Sequence, residues 1–130
     1  MIHRILVVED NPLNRELLCD WLETEGHEAL SAEDLSAAMR SIEDRPPHAV
    51  LLDVQLGDDD GLELAAWMRQ QSKLSSIPVI AVTAHALVTE QSRFLRAGCN
   101  ACVSKPINFK ALREELKYWL QDNKTSKVNS

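Results

Sequence analysis

Four short apolar runs punctuate the chain: Ile5-Leu6-Val7-Val8, Ala49-Val50-Leu51-Leu52, Val79-Ile80-Ala81-Val82 and the weaker Ala101-Cys102-Val103. Each is continuous rather than alternating, which is the pattern of a strand buried on both faces of a parallel sheet. A fifth, poorer strand is expected at an edge over residues 27–31. Helical patterns separate the runs. Asn11-Pro12 reads as an N-cap with proline in the first turn, and Leu13, Leu17, Leu18, Trp21 and Leu22 are expected on one face before Gly26 stops the helix. Leu35, Ala38, Met39 and Ile42 repeat at helical spacing, and Pro46-Pro47 ends that segment. Asp60 with Glu63 reads as a capping box ahead of Leu64, Ala65 and Met68. A fourth helix is expected over 87–97, closed by Gly98. A fifth begins at Asn108 and carries Phe109, Leu112, Leu116 and Trp119. Strand and helix alternate throughout, which calls for right-handed crossovers and an open, doubly wound α/β sheet. Residues 122–130 are polar and are expected to fray as a tail behind one domain over 1–121.

Composition narrows the function classes. At 130 residues the chain is sized for one domain with one real core. It carries 20 acidic against 14 basic residues, a formal charge of −6. That balance argues against direct nucleic-acid binding, whose affinity comes from Lys and Arg on phosphates. No stretch reaches the length of a membrane span and no apolar leader opens the chain, so no membrane insertion and a cytoplasmic location are expected. Cys19, Cys99 and Cys102 form no disulfide framework, and the histidines His3, His27, His48 and His85 share no metal-ligand spacing.

In an open α/β sheet, ligands bind beyond the carboxyl ends of the strands. The residues after each run therefore carry the chemistry. The first run leads into Glu9-Asp10, the second into Asp53, the third into Thr83, and the last into Ser104-Lys105-Pro106. Three carboxylates brought together repel one another unless a cation offsets them. An all-oxygen set favours a hard ion such as Mg²⁺, completed by waters and phosphate oxygens. A lysine and a threonine beside a carboxylate nucleophile suit phosphoryl transfer, where catalysis is mostly positioning and charge neutralisation.

Five motifs in this order, Val7-Val8-Glu9-Asp10-Asn11, Leu51-Leu52-Asp53-Val54-Gln55-Leu56, Asp60-Gly61-Leu62-Glu63, Ile77-Pro78-Val79-Ile80-Ala81-Val82-Thr83-Ala84 and Ser104-Lys105-Pro106-Ile107, resemble the receiver domain of two-component response regulators. The likeness covers about residues 3 to 121 and is similar in particular to the single-domain regulators of the cell-division group. It implies a flavodoxin-like five-stranded parallel sheet of order 2-1-3-4-5 with five helices. It implies that Asp53 accepts a phosphoryl group from a phosphohistidine on a histidine kinase or a histidine phosphotransfer protein. Asp10, Asp53 and the backbone carbonyl of Gln55 would bind Mg²⁺ directly (Mn²⁺ can stand in), with Glu9 reaching it through water. Lys105 would pair with the phosphoryl oxygens and Thr83 would hydrogen-bond one of them. Gln55 and His85 occupy the positions that tune hydrolysis, and the Lys105–Pro106 peptide is often cis in the family. The domain would be a phosphoryl-accepting switch rather than a turnover enzyme, and its α4-β5-α5 face would meet an effector protein.

Two positions depart from the family pattern. Cys102 stands three residues before Lys105, where the family usually has the Tyr or Phe that follows the threonine's movement. Gly57 stands where a proline is common, so a more mobile loop is expected there. Blander readings exist for single residues: Asp53 could cap the next turn, Lys105 could be a plain counter-charge, and Thr83 an ordinary strand residue. Asp58-Asp59-Asp60-Gly61 fails as a calcium loop because Leu56 would hold the first ligand position. Other functions fit these residues less well. An aspartyl-phosphate hydrolase commonly needs an acid two residues after the nucleophile, and Gln55 cannot serve. A receiver-like binding module that takes no phosphate would leave the acidic set unexplained. A receiver from a hybrid histidine kinase remains an alternative, with the position of Met1 and the polar tail favouring a stand-alone chain that lacks an output domain.

Overall fold

The structure, a computed structural model, describes residues 2–84 and 88–121. Its strands β1 (Arg4–Val8), β2 (Glu28–Ala32), β3 (Ala49–Asp53), β4 (Val79–Thr83) and β5 (Ala101–Ser104) alternate with helices α1 (Pro12–Thr24), α2 (Leu35–Asp44), α3 (Leu62–Arg69), α4 (Val88–Ala97) and α5 (Phe109–Trp119). The strands pair in parallel, in the order β2-β1-β3-β4-β5. This is the flavodoxin-like architecture expected from the sequence. The two central runs are covered on both faces, and every residue of β3 is buried. β2 lies at an edge and is mostly half-buried.

Alternation along the strands splits the core in two. Leu6, Val8, Val50, Leu52 and Ala81 face Ala38, Ile42, Leu64, Ala65, Met68 and Phe94 of α2, α3 and α4. Ile5, Val7, Leu51, Ile80 and Val103 face Leu18, Leu22, Leu112 and Leu116 of α1 and α5. The three tryptophans pack against these layers: Trp67 on the first, Trp21 and Trp119 on the second.

Helix starts follow capping chemistry. The Asn11 side chain accepts from the Leu13 and Asn14 N–H groups at 2.9 and 3.1 Å, ahead of Pro12. Asp34 caps α2 through Ala37 N–H, and Asn108 caps α5 through Ala111 N–H. Two expectations need correction. Leu13 and Leu17 do not share the buried face of α1. They are 76% and 53% exposed, because only the stripe through Leu18 and Leu22 meets the sheet. Asp60 and Glu63 do not form a capping box. The N-cap of α3 is Gly61, without a side-chain cap, and Asp60 instead accepts from Leu62 N–H at 2.9 Å. The close fit of Gly61 against the end of β3 sets the helix start one residue later.

Between β3 and α3 the chain folds back on itself. Gln55–Leu56 pairs antiparallel with Asp59–Asp60. The turn between them needs a positive φ at its first residue, and Gly57 supplies it at +59°. The loop around Gly57 thus forms a short two-stranded ribbon.

Candidate functional site

The parallel sheet delivers the predicted residues to its carboxyl rim. Glu9 and Asp10 follow β1, Asp53 ends β3, Thr83 ends β4 and Lys105 follows β5. They line one cavity of about 350 Å³ together with Asn11, Asn14, Gln55 and Ala84. Lys105 Nζ lies 3.1 Å from Asp53 Oδ2 and 3.2 Å from Glu9 Oε1. The other Asp53 oxygen accepts from Gln55 N–H at 3.1 Å, and the other Glu9 oxygen accepts from Asn11 N–H at 3.1 Å. Asp10 Oδ2 accepts from Gly57 N–H at 3.0 Å. Lys105 N–H donates to the Thr83 carbonyl at 2.8 Å, tying the ends of β4 and β5 together. The Lys105–Pro106 peptide is cis.

Burial holds two of the site's carboxylates out of water. Glu9 and Asp53 are 2% and 6% exposed, and Thr83 is buried. Burial pushes the Glu9 carboxyl above its usual range, and its contact with Asp53 pushes it further. The Asn11 N–H and the Lys105 charge act the other way without reversing the sense. Burial alone would lower the Lys105 ammonium. Its hydrogen bond and charge attraction to Asp53, joined by Glu9, outweigh that and raise it. The lysine is therefore a fixed cation between two carboxylates.

One carboxylate oxygen from each of Glu9, Asp10 and Asp53 falls within a common 4.8 Å span. A hard, all-oxygen set of this kind suits Mg²⁺, which takes one or two carboxylates and keeps several waters. The residues present fit that ion. Among the described residues this is the one group of acidic, histidine or cysteine side chains with that spacing. His3, His27 and His48 gather instead at the opposite rim, where ring centroids of His3 lie 6.0 Å from His27 and 5.2 Å from His48.

The Gln55 side chain is exposed at the cavity mouth. Cys102 is half-buried and packs against the α2-α3-α4 layer, with its thiol raised by burial. Cys99 is buried, its thiol pushed up to about 12. His85 and the tail 122–130 lie outside the described residues. Three supports carried no sequence signal. The Arg15 guanidinium donates to the Glu9 carbonyl at 2.9 Å, bracing the loop after β1 from α1. Gly57 reaches Asp10 across 47 residues. Gly61 N–H donates to the Val54 carbonyl at 2.7 Å directly behind Asp53.

Residues 5–117 match the response regulator receiver domain family. The chain belongs to that family. The receiver is 36% identical over 122 residues to the polar-differentiation response regulator DivK of Brucella ovis, covering 94% of this chain and 99% of that one. Its fold superposes on a putative response regulator from Chloroflexus aurantiacus with a TM-score of 0.86 at 28% identity, covering 92% of this chain and 98% of the other. It also superposes on the receiver domain of the sensor histidine kinase PA1611 from Pseudomonas aeruginosa, with a TM-score of 0.83 at 32% identity and the same coverage of 92% and 98%. That structure holds a magnesium ion coordinated in its active site cleft. Receiver domains serve two-component signalling and bind Mg²⁺ at an acidic pocket, and this receiver has such a pocket. Among its described residues no helix is long and apolar enough to cross a membrane.

Proposed function

We propose that the receiver unit, residues 1–121, accepts a phosphoryl group on Asp53 from the phosphohistidine of a histidine kinase or a histidine phosphotransfer protein in the cytoplasm. A single observation carries this reading. The buried Asp53 carboxylate sits beside the Lys105 ammonium at 3.1 Å, with the oxygens of Glu9 and Asp10 close by. An Asp53 oxygen attacks phosphorus, a P–O bond forms, and the donor's P–N bond breaks with its electron pair left on the imidazole. Lys105, already fixed between Asp53 and Glu9, offsets charge on the phosphoryl oxygens. Thr83, at the cavity wall, donates its hydroxyl to one of them.

Asp10, Asp53 and the Gln55 carbonyl would hold Mg²⁺. Glu9 would be the outer partner, reaching the ion through water, with one oxygen within the common span of the three carboxylates. The bound ion would neutralise charge on the transferring group. Gln55 and His85 would set how fast water attacks the acyl phosphate. Phosphorylation would then shift the population of the α4-β5-α5 face, where Leu95 and Tyr118 stand exposed for an effector protein. Cys102 takes the place of a swinging ring in that switch, and as a small hydrophobe it cannot fill the volume a ring vacates.

The test is incubation with acetyl phosphate and Mg²⁺ followed by intact mass. The protein should gain one phosphoryl group, and Asp53→Asn should gain none. Absence of uptake from acetyl phosphate, phosphoramidate and a phosphorylated histidine donor alike would overturn the proposal.

A further inference from the structure

The amino rim of the sheet, opposite the acidic site, holds a larger cavity of about 530 Å³. The ends of α1 and α5 wall it, together with the residues that lead into β1 and β2. Trp21, Leu116 and Leu120 give it an apolar lining, and His27, Arg113 and Lys117 add polar edges. A concave, mostly apolar hollow with a few polar groups is the usual form of a small-molecule site. We propose that this cavity binds a small aromatic carboxylate, with the ring against Trp21 and the two leucines and the carboxylate on Lys117. Such a site is independent of the chemistry at Asp53.

The charges select the ligand. Arg113 is already held: it donates to both Glu25 oxygens, at 2.6 and 3.2 Å, and its guanidinium carbon stands 6.0 Å from the Trp21 ring centre. Glu25 is the one carboxylate among the described residues of the lining, so no free acid is left there for a cationic ligand. Lys117, one turn further along α5, is exposed and forms no ion pair among the described residues. Two cations against one carboxylate make this rim locally positive on a chain whose formal charge is −6. The last turns of α1 and α5 border the cavity, and their partial negative charge weighs against a phosphate-rich ligand. A single carboxylate satisfies Lys117 without that cost. In the same lining, His27 Nδ1 is buried and meets no hydrogen-bond partner among the described residues. Buried polar atoms are normally matched, and a polar ligand edge would supply the match.

The apolar wall is preorganised. Trp21 is half-buried and braced by Phe109 at a centroid distance of 5.0 Å. Leu116 is anchored in the core, and Leu120 is half-buried beside it. Side chains already fixed by packing lose little freedom when a ligand arrives. A planar ring also gains from offset or edge contacts with the indole, whereas a flexible aliphatic chain would lose rotamer freedom on binding.

The experiment is an NMR titration of the full chain with cinnamate, and with cinnamyl alcohol as its uncharged counterpart. Saturable shifts are expected at the Trp21 indole and at the amides of His27, Arg113, Lys117 and Leu120. Lys117→Gln, an exposed position whose change leaves the core intact, should weaken cinnamate about tenfold and leave cinnamyl alcohol unchanged, the scale of one charge-assisted hydrogen bond. Asp53→Asn should bind cinnamate as the wild-type protein does, and a loss there would place the compound at the acidic site and overturn the proposal. Absence of saturable shifts at millimolar cinnamate would overturn it, as would saturable shifts confined to other residues or equal losses for both compounds in Lys117→Gln. Cavity resonances that move on dilution of the free protein would show that a second copy covers the cavity. Contacts between the Trp21 indole and residues 122–130 would show that the chain's own tail does. Either result would overturn the proposal.

Discussion

Gly61 backs directly onto Asp53. A methyl group on its α-carbon would overlap the Asp53 carbonyl oxygen and lie 3.0 Å from the Val54 carbonyl. The strand end that carries Asp53 can therefore take its place only because position 61 has no side chain. Gly61→Ala should push the β3 end or the start of α3 aside and cost about 2 kcal/mol, in the range of overpacked interiors. Urea denaturation reads the loss, and intact mass after acetyl phosphate reads its effect on Asp53. A variant with an unshifted midpoint and normal uptake would show that the contact is relieved without consequence.

Lys105 is the one ammonium within 4.0 Å of Asp53 and Glu9 among the described residues. Replacing it by methionine keeps the stem and removes the charge. Phosphoryl uptake from acetyl phosphate should slow roughly 100-fold, the scale of losing one preorganised donor. Arginine should not restore it, since its planar fork does not match a point charge held between two carboxylates. The check is the rate of mass gain for the three proteins, and a Lys105→Met rate near wild type would contradict the role.

His27 makes stability depend on pH. Burial lowers its pKa below 6.5, the neighbouring His3 lowers it further, and Glu25 opposes them. Its Nδ1 is buried and meets no hydrogen-bond partner among the described residues. The unfolded chain therefore binds the proton more readily than the folded one. Stability from this group is complete above pH 6.5 and is lost as pH falls through the lower folded value. His48 Nδ1 accepts from Arg4 N–H at 2.8 Å and adds to the same edge. Urea midpoints measured from about pH 8 to about pH 5 should fall, and His27→Gln should flatten the fall. A slope that survives the substitution assigns the effect elsewhere.

Arg69 joins α3 to the far edge of the sheet. Its guanidinium donates to the carbonyls of Gly98, Ser75 and Ile77 at 2.9, 3.2 and 2.9 Å and to Asn100 Oδ1 at 2.7 Å. The same Asn100 oxygen accepts from Val79 N–H at 2.8 Å. Arg69→Met should leave these acceptors short of donors and cost about 2 kcal/mol. Chemical denaturation measures it. Phosphoryl uptake at saturating donor should change little, because the cluster lies away from the acidic rim.

The fold was legible because its signals are local. Continuous apolar runs require burial on both faces, and Asn11 and Asn108 satisfy helix N–H groups within their own turns. The polar residues that end those runs meet for the same reason: parallel strands all point their carboxyl ends to one rim. So the sequence by itself determined the α/β class, the parallel sheet, and the gathering of Glu9, Asp10, Asp53, Thr83 and Lys105. Tertiary structure decided the rest. Whether Leu13 and Leu17 of α1 are buried depends on how far the sheet reaches across the helix, which periodicity does not report. Asp60 lost its capping role because Gly61 must sit against Asp53. Gly57 finds Asp10 47 residues away, and Arg69 finds Asn100 31 residues away. Contacts of that separation leave no trace in local spacing, because they exist only once the layers have packed.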